Sequence, residues 1–161
     1  MFLNNFYKAL NVMFVQETVN GINASGTKQQ LTTAYCVSSA FKIKNYIGAI
    51  NSSYSPGIVF GNGSTLVTPD DYCLSGDVID TINGSADVQT TINDDYCEFV
   101  VTYTMTNVGN SPITIGEIGL CLPIASSPTL VERTVLETPI TIEAGGVGQV
   151  TYTIRMNYPT A

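Results

Sequence analysis

The last third of the chain alternates apolar and polar residues in the period that a half-buried β-strand requires. In residues 97–107 (CEFVVTYTMTN) the apolar positions begin at Phe99 and recur every second residue, and in residues 147–158 (VGQVTYTIRMNY) they begin at Val150. Successive side chains of a strand point to opposite faces, so this period places one face of each segment against a core. Further β-prone runs lie between them, at 113–122, 129–136 and 139–146. Short strands at spacings of about 8–12 residues indicate a sandwich or a barrel. Of these we predict a mainly β protein with an antiparallel β-sandwich of Ig-like or jelly-roll-like type.

The N-terminal segment carries the periodicity of an amphipathic helix. In residues 2–15 (FLNNFYKALNVMFV) large apolar residues recur at i and i+4, with asparagines and Lys8 on the opposite face. We therefore predict an N-terminal helix or arm over 1–20, followed by a single β-sandwich domain over 21–161. The helix either packs on the β core or docks into a partner subunit. For the second alternative, the predicted assembly arm consists of the apolar side chains Phe2, Leu3, Phe6, Tyr7, Leu10 and Phe14.

Turn-forming residues divide the segment between the helix and the alternating strands. Asn-Gly pairs tolerate positive φ and favour tight turns, which predicts turns at residues 19–22 and at Asn83-Gly84. Thr68, followed by Pro69 and two aspartates, has the residue order of a helix start that supports a single turn. The remaining predictions are a polar loop at 24–30, strands at 34–37, 41–46 and 58–60, a glycine-rich loop at 61–64, and a turn at 144–146.

Composition excludes several classes of function. Charged residues make up only 12% of the 161 residues, which leaves a surface of Thr, Ser, Asn and Gly suited to packing against other protein. The net charge of −7 disfavours direct contact with nucleic-acid phosphates and with anionic membranes. The chain has no histidine, the commonest general base, so we predict no enzyme and no catalytic residues. We find neither a signal peptide nor an apolar stretch long enough to span a membrane, and expect a soluble protein.

The four cysteines leave two states open. None of them forms a CxxC pair, so the spacing does not indicate a zinc site or a thioredoxin-type motif. A domain of this length can bury a core without disulfides, and free cysteine behaves as a small apolar residue, which favours reduced thiols. An even number nevertheless permits two disulfides in three connectivities. The residues concerned are Cys36, Cys73, Cys97 and Cys121.

Two acidic clusters and a set of tyrosines are the remaining candidate binding residues. Neither acidic cluster has the spacing of an EF-hand loop, and both lie where aspartate is favoured as a cap or in a turn, so a bound cation is the weaker alternative. Exposed tyrosines are the platform that a carbohydrate-binding module would need. The first cluster is Asp70, Asp71, Asp77 and Asp80; the second is Asp94, Asp95 and Glu98; the tyrosines are Tyr46, Tyr54, Tyr72 and Tyr96.

Three segments, taken in order, resemble small virion structural proteins of tailed bacteriophages. The resemblance covers roughly residues 57–156. The segments are GIVFGNGS (57–64) with TPDDYCL (68–74), YTMTN (103–107) with ITIGEIGL (113–120), and LVERTVL (130–136) with PITIEAGG (139–146) and VTYTI (150–154). The resemblance implies a head decoration, a collar or neck component, a tail component or a fibre anchor, without catalytic residues or a cofactor.

The sequence therefore predicts a structural virion protein that acts by protein–protein assembly. The expected partners are further copies of the chain, in a homo-oligomer, and other virion proteins, with no direct contact to nucleic acid or membrane. The expected location is the virion, after synthesis in the host cytoplasm. The alternative is a binding module, either an Ig-like adhesin or a carbohydrate-binding domain, because many β-sandwiches serve that purpose.

Overall fold

The computed structural model describes residues 1–15, 18–32, 50–51, 54–123 and 127–157. Within these ranges the chain forms one helix and nine strands, and the mainly β prediction is confirmed. The predicted strands at 34–37 and 41–46 lie outside the described residues. The elements are α1 (Asn4–Val15), β1 (Val19–Ile22), β2 (Lys28–Leu31), β3 (Ile50–Asn51), β4 (Gly57–Gly61), β5 (Ile82–Ile92), β6 (Tyr96–Asn107), β7 (Ile113–Leu122), β8 (Thr129–Ile142) and β9 (Val147–Asn157).

Two sheets pack face to face. One has the strand order β3-β4-β7-β8 and the other β5-β6-β9, and β1 and β2 form a separate antiparallel pair. Every pairing is antiparallel except the short parallel contact of β3 with β4. Phe60 from the first sheet meets Tyr103 from the second edge to face, with ring centroids 5.5 Å apart. The predicted β-sandwich with an N-terminal helix is therefore confirmed.

The alternating pattern of the sequence becomes the inner face of the three-stranded sheet. On β6, Val101, Tyr103 and Met105 are fully buried, and β9 buries alternate residues from Val150 to Ile154. Met156, which continues the alternation on β9, is 37% exposed because it lies at the end of the sheet, beyond the core. The period-two prediction holds along both strands up to that end.

Strand β7 is buried on both faces, which explains why its sequence does not alternate. Ile118, Leu120 and Leu122 face the core between the sheets. The opposite face of β7 includes Cys121, which packs in a second apolar cluster with Leu3, Val59, Leu74 and Leu130. The segment that connects β4 to β5 covers part of this outer face, and that covering creates the buried charged site described below.

Helix α1 packs on its own chain. Leu3, Ala9 and Val12 are buried, and the side-chain amide of Asn5 donates to the Ile22 carbonyl (2.9 Å) and accepts from the Ile22 N–H (3.2 Å). The helix begins at Asn4, since Phe2 instead makes an isolated bridge with Glu132 on β8. The predicted helix is confirmed, and its buried face belongs to the core of the chain. Among the described residues we find no helix with the length and hydropathy of a membrane-spanning segment.

Both Asn-Gly turn predictions are wrong. Residues 19–22 form β1, and Asn83 and Gly84 lie inside β5, opposite Thr106 and Met105 of β6. A Cβ on Gly84 would overlap the Thr104 carbonyl oxygen, so this glycine allows a close approach of two strands rather than a turn. The β5–β6 hairpin turns instead at Asn93, whose side-chain oxygen accepts from two main-chain N–H groups of the turn.

Two further boundaries differ from the prediction. The loop predicted for 24–30 is shorter, since it turns at 24–26 and its last three residues belong to β2. The separate strands predicted at 129–136 and 139–146 are one strand, β8, that passes through Pro139 at an irregularity in its pairing with β7. The turn at 144–146 is confirmed, with Gly145 at φ +72°.

Candidate functional site

A buried charged cluster lies on the outer face of the four-stranded sheet. Arg133 of β8 and Glu117 of β7 are almost completely buried, and the Arg133 Nε donates to Glu117 Oε2 at 2.7 Å. The same guanidinium donates to Asp71 Oδ2 at 2.6 Å and to the Thr65 carbonyl at 2.8 Å. One arginine therefore joins two strands to the segment between β4 and β5.

Glu117 completes the cluster by binding main-chain N–H groups of that segment. Its carboxylate accepts from the N–H of Ser75 at 3.1 Å and of Gly76 at 2.8 Å, besides the hydroxyl of Ser75. Gly63 passes so close that a Cβ there would overlap Ser75 Oγ and Glu117 Oε1. The carboxylate thus holds residues 62–77 against the sheet in place of a regular element.

The electrostatics of the cluster keep both carboxylates ionised. Burial by itself raises the pKa of Glu117, but the N–H groups of Gly76 and Ser75 and the Arg133 guanidinium outweigh it, so the pKa lies below its ordinary value. Burial also acts against ionisation of Asp71, yet hydrogen bonds from Thr68 and the contact with Arg133 lower its pKa. A buried acid with a lowered pKa is a poor general acid or base at neutral pH. This arrangement stabilises the fold rather than supplying chemistry.

The structure places two of the four residues of the first acidic cluster in structural contacts. Asp71 binds Arg133 and also accepts from the Thr68 N–H at 3.0 Å, and Asp70 accepts from the Asn4 amide at 2.8 Å. Asp77 and Asp80 are exposed, and no group of three acidic or sulfur ligands is close enough to hold a metal ion in the described part of the chain. The single turn predicted after Thr68 is present, closed by Asp71 N–H donating to the Thr68 carbonyl at 3.2 Å.

The second acidic cluster is divided between a turn and an ion pair. Asp94 and Asp95 are exposed in the β5–β6 hairpin turn. Glu98 lies on the outer face of β6, where the Arg155 guanidinium binds it at 2.6 Å and also stacks over the Tyr96 ring at 4.2 Å from its centroid. These contacts support the interpretation of this cluster as structural, and a bound cation stays an untested alternative.

The described tyrosines of the predicted carbohydrate platform have separate environments. Tyr54 is half-buried and its hydroxyl accepts from the Leu74 N–H at 2.7 Å, Tyr72 is 39% exposed, and Tyr96 lies under Arg155. Among the described side chains no ring contact joins these three residues. Tyr46 lies outside the described residues.

The three described cysteines are free thiols in different environments. Cys121 is buried and burial raises its pKa to about 12. Cys73 is half-buried beside Asp71, and burial together with that negative charge raises its pKa. Cys97 is half-buried near the end of the three-stranded sheet. A raised pKa lowers the thiolate fraction, so neither Cys73 nor Cys121 is an activated nucleophile. Cys36 lies outside the described residues.

The residues of the predicted assembly arm, which lie in α1 and just before it, differ in their burial. Leu3 is fully buried, while Phe2 and Phe6 are half-buried and stack on each other with centroids 4.2 Å apart. Leu10 is half-buried and Tyr7 is 57% exposed. The side chain of Phe14 lies outside what the structure describes. The arm stays a prediction, and among its described side chains Tyr7 has the largest exposed fraction.

A groove of about 220 Å³ runs between β8 and β9, lined by residues that include Phe2, Glu132, Tyr152 and Arg155. The Met1 amino group donates to Glu132 Oε1 at 2.6 Å, whereas Glu132 Oε2 and the Tyr152 hydroxyl are buried and make no hydrogen bond within the described chain. Burial raises the pKa of Glu132 despite the nearby amino group. The amino group and the hydrogen bonds of the described residues therefore offset only part of the cost of burying the Glu132 carboxylate.

Among the elements whose side chains are described, the outer strand of the three-stranded sheet, β5, is the most exposed. Eight of the eleven residues of β5 are exposed. Ile92 is 71% exposed and forms a cross-strand row with Cys97 and Met156 at the end of the sheet. Sequence reasoning missed this surface because the Asn83-Gly84 prediction divided β5 into two short pieces. It also missed the Arg133 cluster, although charged residues inside otherwise apolar strands were a usable signal.

Comparison with protein-family models, characterised proteins and solved structures gives no match to this chain.

Proposed function

We propose that this chain is a structural component of a bacteriophage virion that acts by assembling with copies of itself and with other virion proteins. The placement in a virion depends on the resemblance of residues 57–156 described above. The assembly role depends on one structural observation, the incompletely covered inner face of β5.

The inner face of the three-stranded sheet loses its cover at β5. Val101 and Tyr103 on β6 are fully buried, but Val88 and Ala86, which lie directly opposite them on β5, are only half-buried. Further along the same face Ile92 is largely exposed. Within the described ranges β6 is the only strand paired with β5. An apolar surface that continues to a strand edge with no paired strand among the described residues favours a protein partner beyond that edge.

The composition of β5 supports the same conclusion. Monomeric proteins protect a long edge strand with lysines, proline, a bulge or an inward charge. Strand β5 has eleven residues, no proline, and Asp87 as its single charged residue, and its pairing with β6 is regular from end to end. A strand of this kind is prone to pair with another chain, and in an assembled particle such pairing is productive.

The proposal includes the other sequence-based predictions. The chain is not an enzyme and needs no cofactor, its partners are protein, and its site of action is the virion. The low share of charged residues suits surfaces that become buried between subunits.

The virion placement is tested by mass spectrometry of phage particles purified from cultures that encode this sequence. We expect peptides of this chain in the particle fraction at a copy number comparable to other structural proteins, and depleted from particle-free supernatant. If purified infectious particles contain no peptide of the chain, the virion proposal is wrong.

A further inference from the structure

We propose that β5 pairs antiparallel with β5 of a second copy about a two-fold axis at Val88, which joins the two three-stranded sheets into one of six strands. This inference rests on the proposed assembly function and specifies its surface and register. A two-fold contact uses the same surface on both copies, so a strand edge that pairs with itself must be self-complementary. The sequence of β5 meets this condition in one register better than in its neighbours.

The charge on β5 excludes the register with the longest overlap. The inner faces of the two sheets stay continuous only if the two-fold axis passes through a residue, because successive side chains alternate between faces. An axis through the middle of β5 would place Asp87 directly opposite the partner's Asp87, and like charges in that position are destabilising. An axis through Val88 instead places Asp87 opposite the partner's Gln89, so that two amide donors face two carboxylates.

The side chains of the inner face also fit this register. Val88 lies opposite the partner's Val88, a β-branched pair that suits cross-strand packing. Gly84, which has no side chain, lies opposite the partner's Ile92, which is 71% exposed in the single chain. The largest exposed apolar side chain of β5 is thus placed opposite an inner-face position that has no side chain of its own to clash with it.

The register shifted in the other direction is less favourable. An axis through Ala86 also separates the two Asp87 residues, but Ile92 would then lie opposite the partner's Asp80, which precedes β5. The exposed isoleucine would stay uncovered at the end of the sheet. An axis through Gln89 also separates the aspartates and covers Ile92, but it pairs only residues 86–92 of each strand, whereas the axis at Val88 pairs residues 84–92. The axis at Val88 therefore gives the longest overlap that both separates the aspartates and covers Ile92.

Opposite charge substitutions at Gln89 test the pairing. Gln89→Asp places a second carboxylate opposite Asp87 at two symmetric positions, and we expect the dimer dissociation constant to rise about tenfold. Gln89→Lys places an ammonium group there, and we expect the dissociation constant to fall. Both are measured by sedimentation or light scattering over a concentration series. The control pair is Thr104→Asp and Thr104→Lys, on the same exposed face but on the central strand β6, where we expect no change.

The opposite changes expected in the dissociation constant distinguish pairing in this register from a general effect, in which any charge on an edge strand weakens its pairing. If any charge at position 89 weakens association equally, the edge is in contact but the register is wrong. If neither substitution changes the mass of an oligomer that the wild type forms, β5 is not the contact, and the assembly function stands without it.

Engineered cysteines test the register directly. In the proposed register, a mixture of Asp87→Cys and Gln89→Cys chains forms a disulfide-linked dimer under mild oxidation far more readily than either variant alone. Efficient cross-linking of Asp87→Cys by itself indicates the register centred on Asp87, and cross-linking of Asp87→Cys with Ser85→Cys indicates the one centred on Ala86; either result overturns the inference.

Wild-type protein measures the background from the native thiols. A single-chain mass for wild type and Gln89→Lys at every concentration also overturns the inference, while the particle analysis decides the virion placement separately.

Discussion

Replacing Arg133 is the perturbation whose cost the structure specifies best. Arg133→Met leaves Glu117, which is fully buried, without its cation, and breaking a buried ion pair from one side costs about 3–5 kcal/mol. Glu117 keeps the N–H donors of Ser75 and Gly76, which offset part of the loss. We therefore expect a destabilisation at the lower end of that range, about 3 kcal/mol.

Arg155 provides a matched control for this prediction. Its carboxylate contact with Glu98 is as short, at 2.6 Å, but the Arg155 side chain is 49% exposed. An exposed ion pair contributes about 0–1 kcal/mol, so Arg155→Met should cost much less than Arg133→Met. The double variant Arg133→Met/Glu117→Gln removes both charges and should cost at least about 1 kcal/mol less than the sum of its single variants.

The assay is urea denaturation followed by far-UV circular dichroism, since the chain has no tryptophan to report by fluorescence. The free energies of unfolding of wild type, Arg133→Met, Arg155→Met, Glu117→Gln and the double variant are compared at neutral pH. Equal costs for Arg133→Met and Arg155→Met would refute the reasoning, because burial of the ion pair would then have no energetic consequence.

Three further predictions follow from the charged and polar sites. In a Cys36→Ser variant, Cys97 and Cys73 should react with a chromogenic thiol reagent in the native state, Cys97 faster because the pKa of Cys73 is raised. Cys121 should react only on unfolding, and its rapid reaction in native protein would contradict its burial. Because the pKa of Glu132 is raised in the folded state, its ionised form destabilises the folded protein at neutral pH. Wild type should therefore gain stability relative to Glu132→Gln as the pH falls toward 4.5, the ordinary pKa of a glutamate. If the stabilities of the two proteins, measured by urea titration at several pH values, change in parallel, this prediction is wrong. Gly63→Ala should lower the free energy of unfolding by about 1–3 kcal/mol, because the added Cβ would overlap Ser75 and Glu117. Ser64→Ala, at the exposed neighbouring position, is the control and should leave the free energy of unfolding nearly unchanged in the same assay.

The parts of the fold that follow from local pattern could be predicted. The alternation from Phe99 to Met105 requires one buried face, and β6 has it. The N-terminal helix follows in the same way from its apolar spacing. These patterns involve only residues that are close together in the sequence, so they can be recognised from the sequence alone.

The errors arise where distant contacts decide the local structure. Asn83-Gly84 has turn chemistry, but eleven consecutive pairs with β6 hold it in an extended strand. The Glu117–Arg133 contact joins two strands, and Asp71 approaches from a third segment, so its geometry depends on the sheet register. The exposed edge of β5 could not be identified before the strand itself was known to be continuous.

The measurement that tests the central claim most directly is the solution mass of the full chain by light scattering over a concentration series. The account predicts a mass above the 17.2 kDa of one chain that rises toward a defined multiple as concentration increases. A mass of 17.2 kDa at every concentration, including for Gln89→Lys, would contradict self-assembly through β5.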